Sequence, residues 1–491
     1  MRVLHVASEV APFAKTGGLA DVASALPKAL AERGHEVRTV MPSYDVVRQN
    51  GYQPREAEPG LIGFDLGRRG VTADIQELDD GGIPVSLVDV PGLYRRGTIY
   101  TEDADEAFRF GVLCRAALEL CRRWRWSPDV IHCHDWQTAL VPIYLHTVFG
   151  DDPLLGDAGT VLTIHNLAYQ GTFPAEVAAD LGLEAWRHLL HEGHLADGWL
   201  GMLETGLMHA DVISTVSPGY AREIMTPEYG FGLEALLRSR SRDLVGILNG
   251  IDTRTWNPAF DRYLPYRYSA KSLWRKEWNT VRLLQALQLE HVEGVPVLGI
   301  VSRLVEQKGI DLLPGPLSDA LEADRIRLVA LGSGEPALEA SLRRLEERFP
   351  GRARFVPGHD EALAHRIEGS VDVFLMPSRF EPSGLNQMYS LAYGTPPLVR
   401  RTGGLADTVE HWNPAEGTGT GFVFEHADSD GVRWALEEAL SARADRKGWK
   451  RLQLNGMGVD NSWSRSAAEY ERLYRSLADR DRSRRVASRP T

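Results

Sequence analysis

The sequence predicts an α/β protein built from two doubly wound parallel sheets, and three observations carry that expectation. Short apolar runs alternate with stretches of helical spacing. The alternation lapses in an irregular, aromatic-rich connection near Asn257 to Leu289 and then resumes. Polar, glycine-rich segments follow the apolar runs directly, where the loops at the carboxyl ends of parallel strands hold ligands. At 491 residues the chain exceeds the ~250–300 at which single cores stop growing, so two large domains or three ordinary ones are allowed. The expected division is residues 1–255, a connection over 256–290, a second domain over 291–460, a C-terminal helix over 461–477 and a solvated tail over 478–491.

The first domain opens on an apolar strand, Val3 to Ala7, then a loop holding Lys15-Thr16-Gly17-Gly18. A helix follows with apolar positions Leu19, Val22, Ala23, Leu26, Ala29 and Leu30, stopped by Gly34. Glu36 to Met41 reads as the next strand, closed by Pro42. Asp129 to His132, Thr160 to Ile164, Val212 to Val216 and Val245 to Leu248 read as buried parallel strands ending in polar residues. In the second half, strands are expected at Val295–Val301, Ile326–Leu331, Arg354–Val356, Val371–Met376 and Pro397–Val399. The last stretch, from Asp479, holds five arginines, two aspartates and hardly any apolar residue, hence the expected tail.

Composition narrows the function classes. The 55 Lys+Arg against 67 Asp+Glu give a formal charge of −12, so bulk electrostatics does not hold nucleic acid or anionic lipid, and an anionic ligand must be gripped locally. No stretch approaches the ~18 apolar residues of a membrane span, and the N-terminal apolar run is too short for a signal peptide; a cytoplasmic protein is expected. Cys114 and Cys121 are seven residues apart in a helical pattern, about 10 Å along the axis, too far to bridge. In His132-Cys133-His134 a strand turns the two histidines opposite to the cysteine, so the triplet cannot close on one ion and no metal is expected.

Several loops carry chemistry. Lys15 and the Gly18 amide sit where a strand turns into a helix, suited to a phosphate or carboxylate; a tight turn with a solvated lysine is the alternative. Arg303 follows a strand directly and Lys308 comes five residues later, a fork and a compact charge suited to a diphosphate, against two solvated cations. Glu381, in Pro377 to Gln387, can order sugar hydroxyls or merely cap a helix. His165 ends one strand; His134-Asp135-Trp136 ends the one before and adds a carboxylate and an aromatic plate of the kind that stacks on sugars.

Together these residues resemble one family, the bacterial glycogen synthases and plant starch synthases, retaining glucosyltransferases of GT-B architecture. The resemblance rests on Lys15-Thr16-Gly17-Gly18-Leu19-Ala20-Asp21, His134-Asp135-Trp136, His165-Asn166-Leu167-Ala168-Tyr169-Gln170-Gly171, Ser217-Pro218 and Leu248-Asn249-Gly250-Ile251-Asp252. It continues through Ser302-Arg303-Leu304 with Gln307-Lys308-Gly309, Arg379-Phe380-Glu381-Pro382 and Gly403 to Val409, in family order. It implies two Rossmann-like domains facing a central cleft, with the last helix returning to the first domain. It also implies glucose transfer from ADP-glucose to the non-reducing end of an α-1,4-glucan, with retention and without a metal or other cofactor. By resemblance Arg303, Lys308, Lys15 and the Gly18 backbone hold the diphosphate, and Leu385 and Asn386 offer it backbone donors. Glu381 binds the glucose hydroxyls and His165 contacts the transferred glucose. Asn249 and His359 lie on the donor side, and Asp21, Asp135 and Trp136 on the acceptor side.

Departures from the family pattern are plain. Met202-Leu203-Glu204-Thr205-Gly206 puts a glutamate where the family commonly has lysine, Ser383 replaces a cysteine, and His359 stands where a tyrosine is often found near the base. Lys276-Glu277-Trp278-Asn279-Thr280 departs from Lys-x-x-Asn-Lys, and Pro314-Gly315-Pro316 should break or shorten the helix after Gly309. The rivals are a glucosyltransferase preferring UDP-glucose or short maltooligosaccharides, and a silent glucan-binding protein. The sequence is mute on oligomeric state.

Overall fold

A computed structural model describes residues 1–488. The chain folds into two units: one comprises Met1–Val216, Ala221–Ile247 and the chain from Trp463, the other Ser217–Tyr220 and Leu248–Ser462. Residues 256–290, read as a connection, thus lie inside the second unit, and Asn249 lies there too. The last helix runs Trp463–Ser488, well past 477 and through most of the stretch expected as tail; residues 489–491 lie outside the described ones.

The first unit carries β1 (Arg2–Val6), α1 (Gly18–Glu32), β2 (Glu36–Pro42), β3 (Arg55–Leu66), β4 (Arg69–Asp79), β5 (Pro84–Asp89), α2 (Glu106–Trp124), β6 (Val130–His134), β7 (Gly159–Ile164), β8 (Thr172–Pro174), α3 (Glu192–Ala196), β9 (Trp199–Gly201), α4 (Met202–His209), β10 (Val212–Thr215) and β11 (Leu244–Gly246). Its main sheet has the order β11-β10-β7-β6-β1-β2-β5-β4-β3. Strands β11 to β5 in that order pair in parallel, whereas β4 and β3 are antiparallel additions, so the sheet is mixed rather than wholly parallel. Every residue of β6 and β7 is buried, as strands covered on both faces require. The apolar positions of α1 are buried as the helical spacing demands, and Gly34, at φ +88°, turns the chain out of it. Val3, Val22, Leu26 and Leu30 pack with Trp463, Tyr470 and Tyr474 of the last helix in one core.

The second unit carries β12 (Val297–Leu304), α5 (Pro314–Glu322), β13 (Arg327–Gly334), β14 (Ala353–Pro357), α6 (Glu361–Glu368), β15 (Val373–Met376), α7 (Asn386–Ala392), β16 (Pro397–Arg400) and β17 (Phe422–Phe424). Its six strands are all parallel, in the order β14-β13-β12-β15-β16-β17. The prolines after Gly309 do shorten a helix: α5 begins at Pro314, where the missing N–H costs nothing, behind a 3₁₀ turn over Ile310–Leu312. Trp256, from the expected connection, stacks between His365 and Tyr389 at 3.8 and 3.7 Å, which anchors that segment to the second unit. All three cysteines are buried and unbridged. Among the described residues no helix is long and apolar enough to cross a membrane.

Candidate active site

In the first unit the chemistry collects at the carboxyl ends of β1, β6 and β7. The loop after β1 is pinned from beneath by Glu9, a buried carboxylate that accepts hydrogen bonds from Thr16 Oγ1 at 2.7 Å, from the Thr16 amide and from Tyr100 Oη. This holds Lys15 at the surface, where its Nζ lies 2.7 Å from Asp21 Oδ1, and leaves Gly18 as the first residue of α1. Lys15 and Asp21, assigned to donor and acceptor by resemblance, are thus one ion pair.

Asp135 leaves β6 with a left-handed φ of +57°, a strained conformation for a residue with a side chain. The strain is held by hydrogen bonds on both sides: its N–H donates to Thr163 O at 2.9 Å, and its Oδ1 accepts the His165 N–H at 2.6 Å. Burial pushes the Asp135 carboxyl up to about 7, opposed by the backbone donors of His165 and Asn166. Trp136 is buried edge-on against Phe110 at 5.1 Å, and Gly171, at φ +62°, passes so close to the indole that a Cβ there would lie 2.3 Å from it.

His165 does not stand alone. Its Nε2 lies 3.0 Å from His134 Nδ1, and His134 Nε2 lies 3.1 Å from His5 Nδ1, a chain of three rings running into the sheet. Burial lowers His5 and His165 to about 3 and His134 well below its ordinary value, so the chain is neutral at physiological pH. A neutral imidazole donates from one nitrogen and accepts at the other, so the rings share one polarity. His5 Nε2 is buried with no partner among the described residues. A bare lone pair is cheaper there than a bare N–H, so protons run from His5 toward His165 and the His165 Nδ1 carries hydrogen. His134 enters from sequence only at the head of His134-Asp135-Trp136, and His5 not at all; a histidine inside the apolar run Val3-Leu4-His5-Val6 is the signal for it. His132, on the same side as His134, is bonded at both nitrogens, to Tyr474 Oη and Thr163 Oγ1.

In the second unit Arg303 is exposed at the end of β12, and among the described residues its guanidinium has no ion pair. Lys308 closes the next turn and its Nζ sits 2.5 Å from Glu381 Oε2, which also accepts from Ser378 Oγ at 3.1 Å. Glu381 is buried and is not a helix cap: α7 starts five residues later at Asn386. Gly309, at φ +64°, packs where a Cβ would lie 2.1 Å from Pro377 O, which is how the Lys308 turn meets the Glu381 loop. Asn386 Nδ2 donates to Val301 O at 2.8 Å, tying α7 to β12, and Leu385 precedes it at the helix start. Asn249 is buried, its Oδ1 without a partner among the described residues. His359 is exposed just beyond β14, beside Gly358 at φ +105°. The unit therefore gathers an exposed guanidinium, a lysine already oriented by a carboxylate, and helix-start amides at the carboxyl ends of adjacent parallel strands, a set suited to an anionic ligand bearing hydroxyls.

Comparison with known proteins gives a consistent picture. A family model described as starch synthase catalytic domain matches residues 2–239, and one described as glycosyl transferases group 1 matches residues 285–452. A glycogen synthase of Anaeromyxobacter sp. (strain Fw109-5) is 47% identical over 483 residues, covering 97% of this chain and 100% of the relative. A glycogen synthase 2 of Geobacter metallireducens is 42% identical over 489 residues, with coverage of 98% and 100%. Among solved structures, the catalytic domain of starch synthase IV from Arabidopsis thaliana, bound to ADP and acarbose, superposes with a TM-score of 0.90 at 35% identity, over 97% of this chain and 99% of that one. A sucrose-phosphate synthase from Thermosynechococcus elongatus shares the fold alone, with a TM-score of 0.59 at 17% identity over 97% and 98%.

Proposed function

This chain belongs to the family of glycogen and starch synthases and transfers glucose from a nucleotide sugar to a glucan, and we propose that its donor is ADP-glucose and its acceptor the non-reducing end of an α-1,4-glucan, with retention, in the cytoplasm and without a metal in the reaction. The observation that supports this reading most is the Lys308–Glu381 pair, its lysine in the loop that follows Arg303, whose guanidinium has no ion pair among the described residues. Cleaving a sugar–phosphate bond leaves a dianionic diphosphate and an electron-poor anomeric carbon, so fixed cations aimed at the leaving group stabilise the transition state more than the ground state.

In this reading Arg303 grips the diphosphate as a fork and Lys308 supplies a point charge. The Leu385 and Asn386 amides, the Lys15 ammonium and the Gly18 amide add donors. Glu381 holds Lys308 with one oxygen and accepts glucose hydroxyls with the other. His165 donates from Nδ1 to a sugar oxygen, its ring fixed by His134. Asp21, Asp135 and Trp136 serve the acceptor, and Asn249 and His359 the donor. The starch synthase IV catalytic domain, bound to ADP and acarbose, lends the nucleotide and the oligosaccharide class. Neither nucleic acid nor membrane enters the reading.

The test is glucose incorporation into glycogen by purified protein in chelator, with ADP-glucose and UDP-glucose compared side by side. Faster transfer from ADP-glucose is expected. Preference for UDP-glucose would overturn the donor assignment, and binding of glucan without transfer from either donor would overturn the catalytic one.

A further inference from the structure

Glu204 reverses the charge of the lysine that the family pattern carries at its place. Its surroundings show what it faces instead. It lies in the first turn of α4 with its side chain only 7% exposed, and its ion-pair partners among the described residues are His191, which caps the N-terminus of α3, and His194 within α3. His194 Nδ1 lies 2.8 Å from Glu204 Oε2 and His191 Nε2 lies 3.9 Å from Oε1, with the two rings 4.3 Å apart and tilted by 37°. One ligand atom from each of the three residues falls within 4.8 Å of the other two.

We propose that His191, His194 and Glu204 form a binding site for a divalent ion of the zinc class, separate from the transfer reaction. A buried carboxylate needs a countercharge, and a neutral imidazole supplies a hydrogen bond but no charge. A divalent ion supplies it and uses the three donors. Two imidazoles and a carboxylate are a set that zinc accepts, with water in the fourth position; donors at ~2.0–2.1 Å from the ion sit roughly 3.3 Å apart, so ligand atoms now 2.8 to at most 4.8 Å apart have to adjust onto it. The proton balance is simple. His194 moves its proton from Nδ1 to the solvent-facing Nε2. His191 moves its proton from Nε2 to Nδ1 and gives up the 3.2 Å bond that Nδ1 accepts from the His194 N–H. No net proton leaves a neutral pair.

The contrast with the other histidine cluster is instructive. His5, His132 and His134 also lie within one ion's reach, but both nitrogens of His132 and of His134 are already engaged. At His191 and His194 the side chains are 45% and 48% exposed, open to an ion from solvent. The ion would join α3 to the start of α4. The first amides of α4, from Met202 and Leu203, donate to Gly171 O and Gln170 O at 2.9 and 3.1 Å, so the clip steadies the segment that packs Gly171 on Trp136.

The experiment uses untagged, chelator-stripped protein titrated with Zn²⁺ by calorimetry, with Co²⁺ as a spectroscopic stand-in whose visible bands report tetrahedral ligation. One Zn²⁺ per chain is expected, with tetrahedral Co²⁺ bands. His194→Ala and Glu204→Gln should each weaken binding at least ~10-fold, because even loss of an outer-shell partner costs ~10–100-fold. Glu204→Lys should abolish it. Both histidines are exposed, so the His191→Ala/His194→Ala double variant keeps its fold, checked by circular dichroism. No zinc bound by the wild type, or equal stoichiometry and affinity in wild type and double variant, would overturn the site; glucose transfer is scored separately and decides nothing here.

Discussion

At the scale of single residues, the sharpest expectation concerns Lys308. Its Nζ is held 2.5 Å from Glu381, a geometry that aims the charge before any ligand arrives. Lys308→Ala should lower kcat by about two to three orders of magnitude, as loss of a comparable transition-state stabiliser does, with a smaller change in KM; near-normal turnover would remove Lys308 from the leaving-group role. His134 makes a subtler case. If the ring chain sets the His165 tautomer, His134→Asn should lower kcat ~10- to 100-fold by misplacing His165, while glucan KM barely moves. In ¹⁵N spectra the His165 imidazole should then shift from one tautomer to a mixture. An unchanged His165 signal would show that the chain merely fills space. The site residues readable from sequence were those in loops after strands, because position after a strand is itself the signal. His5 lies inside β1, and Glu9, although in the loop after it, acts through its hydrogen bonds to Thr16 and Tyr100, which spacing cannot report.

At the scale of elements, two glycines set the loops that carry the chemistry. Gly309→Ala places a Cβ 2.1 Å from Pro377 O at a φ of +64°. The turn must open, which costs about 1–3 kcal/mol for the backbone alone and separates Lys308 from Glu381. The expected readouts are a melting temperature lower by several degrees and a kcat deficit approaching that of Lys308→Ala. Full stability with full activity would show that the turn has slack. The parallel strands were legible because each is a short, largely apolar run, and α1 because its buried positions keep the helical period. The antiparallel edge of β3 and β4 was not, since its alternation is broken by an irregular register between Glu56 and Leu61. Pro59 and Gly60 sit at that break and read as loop in isolation. The last helix reads as ending at 477 because charge outweighs apolar spacing beyond it, yet it continues to Ser488. Residues 256–290 read as a connection because their anchoring, the stacking of Trp256 on His365 and Tyr389, is a long-range contact without periodicity.

At the scale of the whole molecule, buried groups with opposite pH responses offset one another: depressed histidines in the first unit against raised carboxyls, Asp135 in the first unit and Glu368 in the second. In the first, burial holds His5 at about 3 against an ordinary 6.5, and His132 and His134 well below it. As pH falls through 6.5 the unfolded chain takes up protons that the folded one refuses, so the stability these rings allow is present above 6.5 and lost toward 3. In the second, burial pushes Glu368 up to about 8 against 4.5, partly offset by Ser390 and Lys276. There the folded chain keeps a proton that the unfolded one has released, so the contribution is full below 4.5 and lost as pH rises through 8. The intact protein should therefore show a shallow pH response between 5.5 and 7.5, with large terms cancelling. Variants uncouple them. The destabilisation caused by His5→Asn should shrink by about 1 kcal/mol on going from pH 7.5 to 5.5, because the asparagine has no proton to refuse. That caused by Glu368→Gln should grow over the same interval, because the wild type alone gains from protonation. Urea-unfolding midpoints of the three proteins at the two pH values measure both. Parallel shifts in the two variants would mean that His5 and Glu368 titrate normally in the folded state, and the neutral histidine chain beneath His165 would go with them.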